Sequence, residues 1–396
     1  EHTQLPPGVL EVLKQKRPDI KRNIRIIHQR LVIEKLISYF KIQDIDLDEI
    51  LNIFVRVNSG GTILSKSDLL LSTIIAHWQD GREEIENLID TLRNKGDGFH
   101  FDNDFVMRAC LVLSDLPILF KVNSFKKDNI ALIQKNWDQI RTSLLRTVDL
   151  AVEFGFSGET LTSQNALIPI AYYFFKGGDD GANSKAGIRK YLIHALLKRV
   201  FGSHGDQALA RLREELRERR ADGSYVLKRN RFEFSALTQV MFSGNRSLLV
   251  SQDDIEEILE MPKGAYSFMA LSLLYPNLNF AMVKFHQDHI HPASQFTNAE
   301  LRKAGIPEKD WKQWRSKRDR LPNLQLLEGR ENKRKSDTPL LTWLNGSSNG
   351  GPNVPDIQKY KQDNYIPDVD LGFASFEEFY NERKEILRAK LSSILA

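Results

Sequence analysis

Three of the nine histidines, His286, His289 and His291, fall within six residues, and Asp288 sits among them. Hydrolysis of a phosphodiester needs side chains of these types. A divalent cation stabilises the charge developing on the leaving oxygen, a base deprotonates the attacking water, and further cations hold the backbone. Asp288 offers a hard oxygen suited to Mg2+ or Mn2+. Histidine is the residue type that titrates near neutrality, so His289 is suited to be the base. Asn332 offers a second oxygen ligand, and Asn323 can orient the imidazole through a hydrogen bond. Two other readings of the spacing stay open: a surface Asp-His pair or packed core histidine, and a zinc site of His286, His289 and His291, unusual without cysteine. Neighbouring side chains of a strand point to opposite faces. Asp288 and His289 therefore share a cleft only where the strand ends, and Pro292 suits such an end.

The elements that must position these residues change character along the chain. HQRLVIEKLISYF, before residue 40, has a helical apolar face, and NSGGT (58–62) breaks the chain because paired glycines favour a tight turn. Ser65 with Asp68 reads as a capping-box start. From there to about residue 275 the pattern is helix after helix, over 66–79, 81–94, 102–115, 126–154, 163–176, 183–203, 205–220, 232–243, 251–260 and 264–275. NFAMVKFHQDHIHP (279–292) then suits a strand, 298–320 a basic helix-prone insertion, LPNLQLLEG (321–329) a second strand, and Glu331 onward a short helix. NGSSNGGPNVP (345–355) is a connector by composition. A final amphipathic helix (375–395) is expected to dock, with Ser375 and Glu378 as its capping box and Phe376, Phe379, Ile386, Leu387, Leu391 and Ile394 on its apolar side. The fold class expected is mainly α: a multi-helical domain, then a small α+β segment of two strands and a helix, then a C-terminal helix.

Charge is unevenly spread. Between Leu301 and Lys335 twelve Lys/Arg face five Asp/Glu, a local +7 within a chain of net +4, so the remainder is −3. Such a field attracts polyanions, nucleic acid above all, although a solvated charged loop has the same composition. Arg315, Lys317, Arg318, Arg320, Arg330, Lys333 and Arg334 are the expected DNA contacts. Trp311 and Trp314 can stack on bases, but their spacing on a helix favours packing. The one cysteine, Cys110, excludes an intramolecular disulfide and any cysteine-based zinc cluster. Apolar runs at 69–76 and 166–175 are too short to span a membrane. With no signal peptide evident, a cytoplasmic protein without membrane partners is expected.

Asp288-His289-Ile290-His291-Pro292, then Asn323-Leu324-Gln325-Leu326, then Asn332-Lys333-Arg334-Lys335 resembles the D-H-I-x-P / N-x-x-L / N-x-x-K order of HNH (ββα-metal) nucleases. The resemblance implies that Asp288 and Asn332 are metal ligands, His289 the general base and Asn323 the residue supporting it. It also implies that Lys335 contacts the scissile phosphate or the end of the helix. IFVRVNSGGTILSKSDLLLSTI (53–74) and SFEEFYNERKEIL (375–387) are similar to blocks of the GmrSD-like family of modification-dependent (type IV) restriction enzymes. There a ParB/sulfiredoxin-like nucleotide-hydrolysing domain precedes helices and an HNH domain.

That family carries a D-G-Q-Q-R motif upstream, where this chain reads IIHQRL (26–31). The chain starts at Glu1 rather than Met, so truncation of that domain is expected. Nucleoside triphosphate would then be a cofactor only with the missing domain, and Arg56 and Asn58 would be nucleotide-binding residues without partners. The resulting organisation is a domain remnant over 1–62, a helical scaffold over 63–275, an HNH core over 276–345, and a linker with docking helix over 346–396. The function expected is a Mg2+- or Mn2+-dependent endonuclease acting on modified or phage double-stranded DNA, using one metal and a histidine base. The alternative is a catalytically silent DNA- or modification-sensing module of phage defence. A homo-oligomer or an upstream nucleotide-binding domain is a possible partner.

Overall fold

The computed structural model describes residues 18–33, 53, 70–71, 74–75, 77–119, 122–202, 204–275, 278–280, 282–346 and 353–395. Its packing divides the chain into two units, Glu1–Val57 and Asn58–Ala396. In the first, helix α1 (Pro18–His28) passes into a π-helical turn, Gln29–Ile33. Leu31 and Ile33, on the expected helical apolar face, are exposed. The NSGGT turn, the Ser65/Asp68 cap, Arg56 and Asn58 lie outside the described residues.

The second unit is mainly helical. Its scaffold comprises α2 (Gly81–Arg93), α3 (Asn103–Leu113), α4 (Lys127–Lys135), α5 (Trp137–Glu153), α6 (Ile168–Phe175), α7 (Ala182–Leu197) and α8 (Gly205–Leu216). A hairpin of β1 (Arg217–Arg219) and β2 (Tyr225–Leu227) follows, then α9 (Phe234–Leu237), α10 (Gln252–Leu259) and α11 (Ala265–Leu274). All eight residues of α6 are buried. A helix apolar on every side belongs at the centre of a bundle. Local signals set several boundaries. Asp102 accepts from the Phe105 N–H at 2.9 Å to start α3, and Ser251 with Asp254 forms a reciprocal capping box for α10.

Three expected helices are corrected; that over 232–243 shortens to Phe234–Leu237, and Phe242 pairs with Arg246 in an isolated β-bridge. The stretch 126–154 is broken at Asn136, whose φ of −95° and ψ of 2° end α4 and start α5. Trp137 is then aimed at Glu84 (Nε1 to Oε2, 2.8 Å) and at Trp78. The stretch 205–220 ends at Leu216, because Arg217 turns into a strand. Its guanidinium bonds Asp115 at 2.7 Å and lies 3.7 Å from the Tyr225 ring centre. A turn with Gly223 at φ 86° closes the hairpin. These long-range contacts override the helical charge pattern of RLREELRERR.

After the scaffold comes the order strand, insertion, strand, helix. β3 (Phe285–His289) pairs antiparallel with β4 (Leu324–Glu328). The insertion between the strands carries α12 (Asn298–Lys303) and α13 (Trp311–Arg318), and α14 (Gly329–Lys335) follows β4 directly. Then come α15 (Leu340–Asn345), α16 (Ile357–Asp363) and the twenty-residue α17 (Phe376–Leu395). Trp311 and Trp314 are packed, in one apolar core with Ile290, Trp343, Phe376 and Phe379. The insertion and the C-terminal helix therefore share a single core across residue 345.

The docking face of α17 differs from the expected stripe. Ile386 is 38% exposed, whereas Arg383 is fully buried. Its guanidinium donates to the carbonyls of Pro322 (2.7 Å) and Asn364 (3.1 and 3.2 Å). The expected cap is also absent, since the Ser375 hydroxyl donates to Asp370 at 2.7 Å. Among the described residues no helix is long and apolar enough to cross a membrane.

Candidate active site

The register of β3 and β4 decides where the Asp288–His289 pair points. Asp288 lies opposite Gln325 and His289 opposite Leu324, so alternation sends their side chains to different faces. Asp288 Oδ2 accepts from Gln325 Nε2 at 3.0 Å and is 2.8 Å from Lys335 Nζ. Gln325 is held in turn by the Tyr360 hydroxyl, which donates to its Oε1 at 3.0 Å. Among the described residues Asp288 Oδ1 accepts no hydrogen bond. The imidazole of His289, the last residue of the strand, reaches Asp319 instead, Nε2 to Oδ1 at 2.8 Å.

Asp319 was not singled out in the sequence, where it sits inside the basic run RSKRDR. Arg318 grips it through both carboxylate oxygens, with Nε at 3.0 Å from each. Burial alone would raise the Asp319 pKa, but the bonds from Arg318 and His289 hold it below the usual carboxylate range. An ionised carboxylate only accepts, so Nε2 of His289 carries the proton and Nδ1 keeps the lone pair. Burial lowers the His289 pKa; the Asp319 bond opposes that fall and the Lys263 ammonium adds to it. Lys263 is a second residue the sequence reading passed over. It lies in the loop between α10 and α11, and its N–H donates to the Asp319 carbonyl at 2.7 Å.

Two expected roles are corrected. Asn323 does not touch the imidazole. Its side chain accepts from the His291 N–H (3.0 Å) and donates to the carbonyls of His291 (3.0 Å) and Arg318 (2.8 Å). It pins the ends of the insertion to each other and so fixes the backbone on which His289 and Asp319 stand. Lys335 does not face a phosphate, because its side chain is fully buried. Its ammonium donates to the His289 carbonyl at 2.7 Å and pairs with Asp288, tying α14 to the end of β3. A buried ammonium must be paired in this way.

His291 is a core histidine. It is 1% exposed, packed against Phe379 with ring centres 4.7 Å apart, and held unprotonated by burial, which lowers its pKa to about 3. Asn332 and His286 line a cavity with Lys263 and Gln287. A further carboxylate, Glu331, is half-buried on α14; burial raises its pKa, and the charges of Glu328 and Asp288 raise it further.

Most of the expected DNA contacts are committed elsewhere. Arg315 donates to the Phe296 carbonyl at 3.1 Å, Lys317 pairs with Glu377 at 2.7 Å, and Arg318 holds Asp319. Arg320 donates to the Glu260 carbonyl, and Arg334 to the Asn353 carbonyl at 2.8 Å while lying over Trp343. Planar guanidinium forks satisfy carbonyls that the irregular insertion leaves unpaired. Arg330 and Lys333 are exposed and make no ion pair among the described residues.

The donor set suits a hard cation. Asp288 Oδ1 and the Asn332 side chain are oxygen donors without a hydrogen-bonding partner among the described residues, and Mg2+ is commonly held by one or two protein oxygens with water completing its shell. Among the described residues no cluster of three or more His, Cys, Asp or Glu gathers into a metal cage. Compared with models of known protein families and with the sequences of curated proteins, the chain matches none.

Proposed function

We propose that the chain is a metal-dependent DNA endonuclease with an HNH-type core, acting on modified or foreign double-stranded DNA in the manner of the restriction family it resembles. The observation that supports this best is the order β3, β4, α14. It puts Asp288 and His289 at the end of one strand and Asn332 on the helix after the next, with Lys335 bonded to Asp288 and to the His289 backbone.

In this reading His289 Nδ1 takes the proton from the attacking water. Asp319, kept ionised by Arg318, holds the ring and stabilises the imidazolium that forms. Asn323 fixes the backbone beneath both residues. Asp288 and Asn332 would hold Mg2+ or Mn2+, which when bound supplies charge stabilisation for the leaving oxygen. Arg330, Lys333 and Lys263 draw the phosphate backbone toward the cleft, through contacts that position without reading sequence.

A catalytically silent DNA-sensing module has one observation in its favour. Asp288 Oδ2 is already neutralised by a buried ammonium and an amide. Supercoiled plasmid, unmodified and phage-modified, incubated with Mg2+ or Mn2+ separates the two readings. The nuclease reading expects nicking or linearisation that falls by about 10²–10⁴-fold in His289→Ala, the range for loss of a general base. Equal binding by both proteins with no cutting by either would establish the silent module.

A further inference from the structure

From Asn332 and Lys263 a cleft extends past the candidate site, and its aromatic end has no part in the hydrolytic chemistry. Its larger part, about 400 Å3, is lined by Lys263, Phe268, Phe285, His286, Gln287 and Asn332, with Glu159 and Thr160 of the scaffold on the opposite side. Phe268, Phe285, Glu159 and Thr160 also line a neighbouring cavity of about 210 Å3, to which Phe156 and Phe280 contribute. The two spaces therefore share walls and lead from Asn332 to a group of aromatic rings. Phe280 packs edge-on against both Phe268 and Phe285, with ring centres 6.1 and 5.1 Å apart. The scaffold comes close enough to complete this wall only because residue 155 is glycine. Gly155 has φ +87°, and a Cβ there would fall 2.6 Å from Phe280.

Space of this size holds one nucleotide and excludes a duplex. Its parts match the parts of a nucleotide. Aromatic rings stack on a base of any sequence. Lys263 at the catalytic end suits a phosphate, and the Glu159 carboxylate accepts from an exocyclic amino group such as that of cytosine or adenine. We infer that this cleft takes one nucleotide of the substrate strand. Its amino-bearing base is turned out of the duplex onto Phe268, Phe280 and Phe285 with its amino group toward Glu159, and Lys263 holds the flanking phosphate. The inference rests on the nuclease reading for its substrate, and extends it to how a base beside the cut is selected.

Turning out a paired base costs a few kcal/mol, and a mismatch removes much of that cost. The test scans a single mismatch along a short duplex, measuring binding to the full-length His289→Ala chain by fluorescence anisotropy. Wild-type cutting of the same duplexes is mapped in parallel. One position beside the cut is expected to tighten binding about tenfold or more, with other positions unchanged. Phe268→Ala and Phe280→Ala should abolish that gain. Glu159→Gln, a change at an exposed side chain that the fold tolerates, should weaken the preference for an amino-bearing base there. Cutting with the same response at every position, or a gain that survives both phenylalanine variants, overturns the pocket and leaves the nuclease reading standing. A position-specific gain without any cutting overturns the nuclease reading and keeps the pocket. Absence of DNA binding overturns both.

Discussion

Two paired aspartates, half-buried Asp115 in the scaffold and buried Asp288 in the ββα segment, each meet a lysine and further polar partners. In the scaffold Asp115 Oδ1 accepts from the Tyr172 hydroxyl and from Arg217, each at 2.7 Å, and Oδ2 pairs with Lys176 at 2.5 Å. In the ββα segment Asp288 Oδ2 meets Lys335 and Gln325, and Tyr360 closes the chain behind Gln325. The difference is completeness. Both oxygens of Asp115 are bonded, whereas Asp288 keeps Oδ1 without a hydrogen bond among the described residues, and Asn332 lines a cavity. A closed network of charges fixes a fold; one with an open oxygen keeps an acceptor to offer. Residue type alone does not separate the two.

The largest effects that sharpen this contrast come from opening the closed network. Asp115→Ala strands Lys176, whose side chain is 16% exposed, and leaves Arg217, 7% exposed, with Glu214 as its remaining carboxylate partner. Urea denaturation should show a loss of about 3–5 kcal/mol, the usual result of removing one partner of a buried pair, with cutting per folded molecule unchanged. Asp288→Asn leaves the fully buried Lys335 ammonium without its carboxylate, so stability should fall by a similar amount, about 3–5 kcal/mol. Its cutting should fall roughly 100-fold or more through loss of a hard ligand. A large stability loss at both positions with no selective loss of cutting would erase the contrast.

A smaller effect concerns the buried histidines of the two regions, His194 and His291. Burial lowers the His194 pKa from 6.5 to about 4. The unfolded imidazole therefore takes up a proton between those values while the folded one does not. Stability should fall as pH drops from 6.5 toward 4, by about 3 kcal/mol from this group. His291, lowered to about 3, extends the same trend further into acid. Urea midpoints over that window check the slope, and His194→Gln should flatten it. The smallest effects lie on the surface. Arg330→Ala or Lys333→Ala should each weaken DNA binding less than about tenfold and reduce the salt slope by about 1. Lys317→Ala, whose partner is Glu377, should leave the slope unchanged.

The parts legible in the sequence were those governed by local rules. The helical scaffold followed from apolar periodicity, and both strands fall inside the stretches where β-branched and apolar residues meet Pro292 and Gly329. What escaped depends on tertiary pairing. Lys335 is expected at the scissile phosphate or the end of the helix, yet its buried ammonium bonds the His289 carbonyl and Asp288 of β3. Asp319 reads as one acid in a solvated basic helix end, and only the return of the chain at Asn323 sets it against His289. Arg383 is buried where apolar patterning places Ile386, because the carbonyls of Pro322, before β4, and Asn364, after α16, need donors. The expected Asn323–imidazole bond failed for a related reason. An irregular insertion has more unpaired backbone groups than a strand, and the amide satisfies those first.

The central claim, that Asp288 and Asn332 form an open cation site where Asp115 does not, is tested most directly by Mn2+ binding. Electron paramagnetic resonance of the full chain titrated with Mn2+ should show saturable binding that is lost in Asp288→Ala and in Asn332→Ala and kept in Asp115→Ala. Mn2+ binding that survives both of the first two substitutions, or that never saturates in the wild-type chain, would contradict it.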